Sequence, residues 1–316
     1  MAFLRFLEAL RTPALTAFFS AVTYAGDELV FMAIAITVFW CVSKRQGYYV
    51  FAVGLGGTVV NQWLKLAFRV PRPWVLDPGF TIVEAARAGA GGYSFPSGHT
   101  QNIVGTLGCV ALCNRQKWLR VLCGVFIVLV PFSRMYLGVH TPLDVGVGFA
   151  CAAALVCSLG PCFRDDENLR RAAPVVLGGL LALSLAYVLW AHWHEFPADV
   201  DGENLAGGVK NGWSLLGCAL GLLVSRQYDE RVLRYDVRAP LLGQLCKVAL
   251  GLALLVALRA GLKYALAALF GAAPWTNAVR YFAMVIFAGC VWPWTFPWFR
   301  RLGRKQPPSA SSFRGG

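Results

Sequence analysis

Apolar segments of near membrane-spanning length recur along almost the whole chain, and they limit its possible folds more than any other feature. They lack the polar face that a helix of a soluble protein needs, so they predict membrane helices. Only 14% of the 316 residues are charged, against about 25% in soluble domains. The sequence therefore predicts an all-α polytopic membrane protein with ten crossings, near residues 13–25, 28–43, 47–68, 100–113, 118–133, 142–161, 173–191, 212–225, 239–258 and 278–299.

Basic residues gather in short loops between these segments and set the expected orientation. The formal net charge is +13, but the charges form no continuous basic face, so we expect contact with membrane lipids and no nucleic-acid partner. Because Lys and Arg accumulate in cytoplasmic loops, loops 69–99 and 134–141 are expected outside the cytoplasm, most simply in a multi-pass protein of the cell membrane. The basic segments expected inside are 44–45, 115–120, 164–171, 226–238 and 300–305.

Three short polar blocks interrupt the first half of this apolar chain. Cations and imidazoles are costly near hydrocarbon, so a cluster of them indicates a functional site. Together the blocks supply three cations, two imidazoles and one carboxylate, a set suited to phosphoryl transfer through a histidine. The blocks are Lys65-x6-Arg72-Pro73, Pro96-Ser97-Gly98-His99 and Ser133-Arg134-x5-His140-x3-Asp144.

The second block stands directly before an apolar segment, where a helix should begin. The backbone N–H groups of Ser97 and Gly98 would then lie at a helix N-terminus, which is a natural anion site. His99, just inside the helix, can reach the same anion. The alternative is that Ser97 only caps the helix.

The third block also opens a helix, with Pro142 suited to the first helical position. Asp144 would hold the Nδ1–H of His140 and leave Nε2 free to attack. The alternative is a capping box between Thr141 and Asp144, which is a purely structural device. The two interpretations are compatible, because a capped carboxylate is also an oriented one.

The cations of the blocks lie where apolar segments end. Taken singly, Lys65, Arg72 or Arg134 would more often extend to the membrane interface than act on a substrate. Three such cations in one pattern with two histidines favour a shared function.

Taken together, the blocks resemble the signature of the type 2 phosphatidic acid phosphatase (PAP2) superfamily, in its membrane-bound lipid phosphatase branch. The resemblance covers about residues 1–161 and implies a six-helix catalytic core there, followed by about four further transmembrane helices. Soluble members include vanadate-dependent haloperoxidases, but the membrane segments that flank the blocks argue against peroxidase chemistry.

The resemblance also implies a role for each residue of the signature. His140 would be the nucleophile and form a phosphohistidine, with Asp144 as its orienting partner. His99 would protonate the leaving group and then activate water. No metal and no cofactor are expected, because fixed cations can neutralise the phosphoryl group. The implied phosphate-binding residues are Lys65, Arg72, Ser97, Gly98 and Arg134.

The expected activity is therefore that of a PAP2-type acid phosphatase on a lipid phosphate, either a polyprenyl diphosphate or a phosphatidic-acid-like lipid. A lipid phosphotransferase would use the same residues with an acceptor hydroxyl in place of water. An anion transporter would use the cations to bind its substrate, but the inverted repeats typical of transporters are not evident in the sequence. The sequence specifies neither the lipid nor the oligomeric state.

The chain is expected to divide into three parts. Residues 1–161 form the catalytic core with an interfacial N-terminal helix, 162–305 a transmembrane extension, and 306–316 a disordered tail rich in Pro, Ser and Gly. No cleavable signal peptide is expected at the N-terminus. The ten cysteines show neither disulfide nor metal spacing.

Polar residues of the second half carry weaker signals. His192 and His194 flank Trp193, which favours an interfacial aromatic belt over a metal site. Lys247 lies inside an apolar segment and is expected to pair with another group of the protein. For the cations near the ends of the last two segments, interfacial charge is favoured over contact with a substrate headgroup; these cations are Arg259, Lys263 and Arg280.

Overall fold

The structure, a computed structural model, describes residues 1–198 and 200–302. Over these residues it contains helices and no strand, which confirms the predicted all-α class. The expected disordered tail 306–316 lies outside the described residues. The helices are α1 (Ala2–Ala9), α2 (Pro13–Thr23), α3 (Glu28–Thr37), α4 (Lys44–Phe68), α5 (Pro73–Leu76), α6 (Gly98–Cys113), α7 (Lys117–Tyr136), α8 (Pro142–Leu159), α9 (Asp166–Trp193), α10 (Gly202–Tyr228), α11 (Leu241–Phe270), α12 (Thr276–Ile286) and α13 (Phe296–Phe299).

Each predicted apolar segment overlaps a helix, although not every segment passes the criteria for a membrane span by itself. The helices α2 and α3 pass those criteria only together, as a pair bent by 50° at a short break. The break forms because the Asp27 carboxylate caps α3 by accepting a hydrogen bond from Leu29 N at 2.8 Å. By length and composition, up to six spans are present in the described residues, namely this pair and 117–136, 142–163, 166–193, 241–270 and 276–299.

Contacts at the two ends of the helix bundle show how the chain alternates between them. At one end, the basic end, Lys44 Nζ lies 2.7 Å from Asp229 Oδ2, and Arg45 donates to Phe163 O at 2.6 Å. The loops that carry the polar blocks meet at the opposite end, which we call the motif end. Since α4, α6 and α10 also run between these ends, they complete the bundle although they fall short of the spanning criteria in length or hydropathy.

The amphipathic helix α1 lies at the motif end. Arg5 forms an ion pair with Asp77 at 2.7 Å, and the Glu8 carboxylate accepts from Thr81 N at 2.8 Å. Arg11 donates to Tyr136 O at 3.0 Å. With ten crossings the N-terminus would fall at the basic end, so its position at the motif end agrees with counting α2 and α3 as one span.

The helix α4 lies at the centre of the bundle and packs against α6, α8, α9 and α10. Its buried surface is rich in glycine, and such small residues let neighbouring helices approach closely. Large aromatic side chains, including Trp40, Tyr48 and Tyr49, fill the core at its basic-end half. Because helices from both halves of the chain pack on α4, the division at residue 161 stays a prediction.

The partner that Lys247 was expected to find is a pair of backbone carbonyls. Its ammonium group donates to Trp40 O at 2.8 Å and to Val237 O at 2.9 Å, and it lies 4.4 Å from the centre of the Phe296 ring. Trp40 ends the first span and Lys247 belongs to α11, so this buried cation joins the two halves at the basic end.

Candidate active site

The fold brings the residues of all three sequence blocks to the motif end. Each lies at a helix terminus or in an adjoining loop, where backbone groups are free to bind other partners. Lys65 lies in the last turn of α4, Arg72 is the N-cap of α5, Ser97 is the N-cap of α6 with His99 in its first turn, Arg134 lies in the last turn of α7, and His140 precedes α8, which holds Asp144 in its first turn.

His140 and Asp144 are both buried, at 2% and 1% exposure. The predicted capping box is present: Asp144 Oδ2 accepts from Thr141 N at 2.7 Å, and Asp144 N donates to Thr141 Oγ1 at 3.2 Å. His140 Nδ1 lies 3.6 Å from the same Oδ2 atom, which is beyond a hydrogen bond. The capping geometry thus fixes the carboxylate beside the imidazole.

Ser94, which the sequence analysis did not single out, connects this pair. Its hydroxyl donates to Asp144 Oδ2 at 2.6 Å and lies 3.5 Å from His140 Nδ1. The residue is fully buried, and its N–H donates to Val70 O at 2.8 Å. The sequence did not indicate this role. Ser94 lies in a loop three residues before Ser97, and no regular spacing relates a loop serine to a distant carboxylate.

Arg72 contacts the imidazole from the other side. Arg72 Nη1 lies 3.0 Å from His140 Nε2. Since a guanidinium only donates, this contact assigns the lone pair to Nε2 and the proton to Nδ1, which faces Asp144. The same side chain donates to Gly91 O, Gly92 O and Val139 O at 2.7–3.0 Å. With 6% exposure, Arg72 does not extend to the membrane interface.

Arg134 and Lys65 hold the glycine-rich loop 87–93. Arg134 donates to Thr23 Oγ1 at 2.8 Å and to Gly89 O at 3.3 Å. Its Nε is buried and has no partner among the described residues. Lys65 donates from Nζ to Tyr93 O. All three cations therefore converge on one loop through its carbonyl groups.

Burial and nearby charge keep the imidazole of His140 neutral. Burial lowers the pKa of His140 well below its usual range, and the positive charge of Arg72 lowers this pKa further. Burial also lowers the pKa of Arg72 to about 10, partly offset by the charge of Asp144. At neutral pH the site thus presents a neutral imidazole beside a charged guanidinium.

His99 and Lys65 face a cavity of about 300 Å³, which Gly98 also lines. The loop residues Gly89 and Gly91 line this cavity too, while their carbonyl groups accept hydrogen bonds from Arg134 and Arg72. The loop thus borders the cavity on one side and binds two of the cations on the other, while His140 is not part of the cavity lining.

Some groups of the second block form hydrogen bonds within the fold. Ser97 Oγ accepts from Thr100 N at 3.4 Å and from Thr100 Oγ1 at 3.0 Å, as the capping alternative expects. Ser97 N donates to Asp144 O at 2.9 Å, so the structure corrects the expectation that this N–H is free for an anion. That bond instead ties the second block to the third.

The weaker sequence signals lie outside this site. The His194 ring stacks on Trp190 with 5.4 Å between ring centres. Across the described residues, no group of three His, Cys, Asp or Glu side chains could hold a metal ion. Arg280 donates to Asn277 Oδ1 at 2.6 Å, and the cavity lining includes neither Arg280 nor the other two cations of the last segments.

Comparison with known proteins gives two family matches. Residues 45–167 match the model of the PAP2 superfamily, and residues 213–305 match that of the PAP2 superfamily phosphatase transmembrane extension. Together the two matches cover more than half of the chain. The first includes every residue of the three blocks.

Individual relatives match this chain over shorter regions or with lower identity. The undecaprenyl-diphosphatase BcrC of Bacillus subtilis is 31% identical over 40% of this chain and 62% of its own length. An undecaprenyl-diphosphatase of Sulfolobus acidocaldarius is 47% identical over 25% of this chain and 40% of its own. Glucose-6-phosphatase 3 of Mus musculus is 27% identical over 60% of both chains. Each match thus spans less than two thirds of the relative.

The matched regions agree with the geometry described above. The first family model spans the three blocks, and the second spans the later part of α10 and the helices α11 to α13. The chain belongs to the PAP2 superfamily.

Proposed function

We propose that this protein is a membrane phosphatase that hydrolyses a lipid phosphate or diphosphate through a phosphohistidine on His140. The observation that carries the proposal is the setting of His140, whose neutral imidazole has a lone pair on Nε2 and lies among three buried or half-buried cations. The names of the relatives, which include diphosphatases and a sugar phosphatase, support cleavage of a phosphorus–oxygen bond.

In the first step, His140 Nε2 attacks phosphorus and the bond from phosphorus to the leaving oxygen breaks. His99, which faces the cavity, donates a proton to that oxygen. In the second step, His99 takes a proton from water, the water oxygen attacks phosphorus, and the phosphorus–nitrogen bond breaks. Inorganic phosphate leaves, and His140 is neutral again.

The surrounding groups stabilise this transfer. As His140 gains positive character, the Asp144 carboxylate 3.6 Å from Nδ1 stabilises it, with Ser94 and Thr141 holding the carboxylate in place. Arg72, Arg134 and Lys65 neutralise the equatorial oxygens. Arg72 exchanges its bond to Nε2 for a bond to a phosphoryl oxygen when the substrate binds.

The membrane orientation follows from the charge distribution. We place the basic end in the cytoplasm, because Lys44, Arg45 and the other basic loops lie there. The motif end, including α1, then faces outward, and the substrate comes from the outer leaflet of the cell membrane.

Phosphate release from lipid phosphates by the purified protein tests the proposal. Activity should persist in EDTA and be inhibited by vanadate, which resembles the five-coordinate phosphoryl group. His140→Ala should abolish turnover and prevent labelling by a ³²P-substrate, whereas His99→Ala should slow both steps and lower turnover without removing the residue that carries the label.

Two results would overturn the mechanism: activity that requires Mg²⁺, or a label that remains on the His140→Ala protein. Transfer of phosphate to an added alcohol in preference to water would instead indicate the phosphotransferase alternative.

A further inference from the structure

The N-terminal helix α1 lies outside both family matches, which begin at residues 45 and 213. Its inward face, spaced at three and four residues along the helix, carries Leu4, Leu7 and Arg11. The two leucines are buried, at 0% and 3% exposure. Arg11 comes directly after the helix, and its N–H still bonds to Glu8 O at 3.2 Å. The helix is thus fixed to the protein with a cation at its inner end.

Residues 135–139, which we call the spacer, join Arg134 to His140. The helix α7 ends within the spacer, at Tyr136, and α8 begins only after His140, at Pro142. No continuous helix therefore fixes the imidazole relative to Arg134, so the contacts of the spacer must do so.

The spacer is buried, and its carbonyl groups therefore need hydrogen-bond donors. Three of its residues are 2% exposed or less, namely Tyr136, Leu137 and Val139. Three bonds of 3.0 Å come to these residues from distant parts of the chain: from Arg11 Nε to Tyr136 O, from Val83 N to Leu137 O and from Arg72 Nη1 to Val139 O.

We propose that Arg11 is a positioning residue for His140 and acts through the carbonyl group of Tyr136. This inference rests on the proposed function, because the position of His140 limits the rate only if its imidazole attacks phosphorus. An attacking atom must lie about 3–3.5 Å from its target and in line with the bond that breaks. A shift of the spacer would move His140 Nε2 out of this position.

The guanidinium group of Arg11 is itself held in place. Its Nη1 donates to Thr81 O at 2.8 Å and to Thr81 Oγ1 at 3.2 Å. It lies 5.5 Å from the centre of the Phe80 ring, which is 4% exposed. Because charged donors make stronger hydrogen bonds than neutral ones, Arg11 holds Tyr136 O more firmly than a neutral side chain would.

Gly138 shows how closely Arg11 approaches the spacer. Its φ angle is 83°, in the left-handed region that favours glycine. A Cβ atom there would lie 2.7 Å from Arg11 Nη2 and 3.0 Å from Phe80 Cε1. Arg11 therefore packs directly against the spacer in addition to its hydrogen bond.

Arg5 is the matched residue that lacks this contact. It lies on α1, and its guanidinium group is also 5.5 Å from the centre of the Phe80 ring. It pairs with Asp77 at 2.7 Å and donates to Gly79 O at 2.8 Å, but none of its hydrogen bonds reaches the spacer. Arg5→Met thus removes a cation of the same helix without removing a bond to the third block.

The test is the kinetics of the full-length protein in detergent, with farnesyl diphosphate and dioleoyl phosphatidic acid as substrates. Arg11→Met should lower kcat about tenfold or more and keep KM within about threefold, because the phosphate-binding cations remain. Arg11→Lys should have an intermediate kcat, because an ammonium group keeps the charge but not the planar fork of donors. Arg5→Met should keep kcat within about threefold of the wild-type value.

Rapid-quench labelling with ³²P-substrate separates positioning from folding. The amplitude of labelling measures the fraction of intact sites, and its rate measures the attack by His140. Arg11→Met should keep the amplitude and lower the rate by the same factor as kcat. A purely structural role would lower the amplitude and leave the rate unchanged.

The inference is wrong if Arg11→Met keeps the wild-type labelling rate, or if Arg5→Met slows labelling as much as Arg11→Met does. If Arg11→Met fails to fold, a wild-type kcat and labelling rate in Arg11→Lys would overturn the inference in its place. A wild-type protein that releases phosphate from neither lipid would instead overturn the proposed function, and this inference with it.

Discussion

A single carboxylate oxygen, Asp144 Oδ2, organises the surroundings of His140, the proposed nucleophile. It accepts hydrogen bonds from Ser94 Oγ and Thr141 N and lies 3.6 Å from His140 Nδ1. Bonds to a charged acceptor are stronger than neutral ones, so this oxygen is held firmly. Ser94 is therefore a positioning residue that acts on His140 through Asp144.

Ser94→Ala should lower kcat about tenfold or more and change KM little, because the carboxylate loses one of its donors. A loss of about 1.4 kcal/mol corresponds to one factor of ten in rate. Ser133→Ala is the matched control. Ser133 is equally buried, but its hydroxyl donates a hydrogen bond to Val130 O within α7. Equal losses in the two variants would show that Ser94 has only a structural role.

The neutral state of His140 predicts the acid side of the pH profile. The lowered pKa of His140 means that the imidazole stays neutral, and hence nucleophilic, below the usual range of histidine. The acid limb of kcat/KM, which reports the free enzyme, should fall only as the pH drops through this lowered pKa.

Arg72→Met removes the cation that contributes to the lowered pKa of His140, so the acid limb should move to higher pH. Arg72→Lys keeps the charge and should leave the limb in place, whatever its effect on the rate. Measuring both variants on one substrate removes the substrate's own ionisation from the comparison. An unmoved limb in Arg72→Met would contradict the assignment.

At the scale of elements, the glycine-rich loop 87–93 connects the three cations of the candidate site. Its carbonyl groups accept hydrogen bonds from Lys65, Arg72 and Arg134. A phosphate that takes these donors would release the loop. Binding of substrate and movement of the loop are thus coupled through the same cations.

Gly92 has a φ angle of 72°, a left-handed conformation that costs other residues about 1–2 kcal/mol. Gly92→Ala should therefore shift the loop and lower kcat/KM about tenfold. Gly91→Ala is the matched control, because a Cβ there has no atom within 4 Å and needs no left-handed backbone. Similar activity in the two variants would show that the loop conformation does not limit catalysis.

At the scale of the whole molecule, the position of α1 changes the expected topology. The ion pair of Arg5 with Asp77 puts the N-terminus at the motif end, and the basic loops lie at the other. The N-terminus and the site should thus face the same side of the membrane.

A cysteine at Ala88 in a cysteine-depleted protein should react with a membrane-impermeant thiol reagent in intact cells, because Ala88 is exposed at the motif end. A cysteine at Ala2 should react equally well. As a control, a cysteine at the exposed residue Arg231, at the basic end, should react only after lysis. Labelling of Ala88→Cys and Ala2→Cys only after lysis would reverse the proposed orientation.

The sequence by itself determined the helical class and the family, and it named the charged residues that the fold brings together at the motif end. The spacing of these residues is local. A proline or serine at a helix start specifies a cap, and so does an aspartate four residues after a histidine, independently of the rest of the chain. The capping box of Thr141 and Asp144 was predictable for this reason.

Only the tertiary structure decided which distant groups complete the site. Ser94 reaches Asp144, and Arg134 reaches Thr23, because loops and helices far apart in the chain meet at the motif end. The bend between α2 and α3 was also apparent only in the structure. Two short apolar segments have the same sequence pattern whether each crosses the membrane or the two cross it together. Contacts between distant residues are not encoded in local spacing, so they appear only when the helices pack.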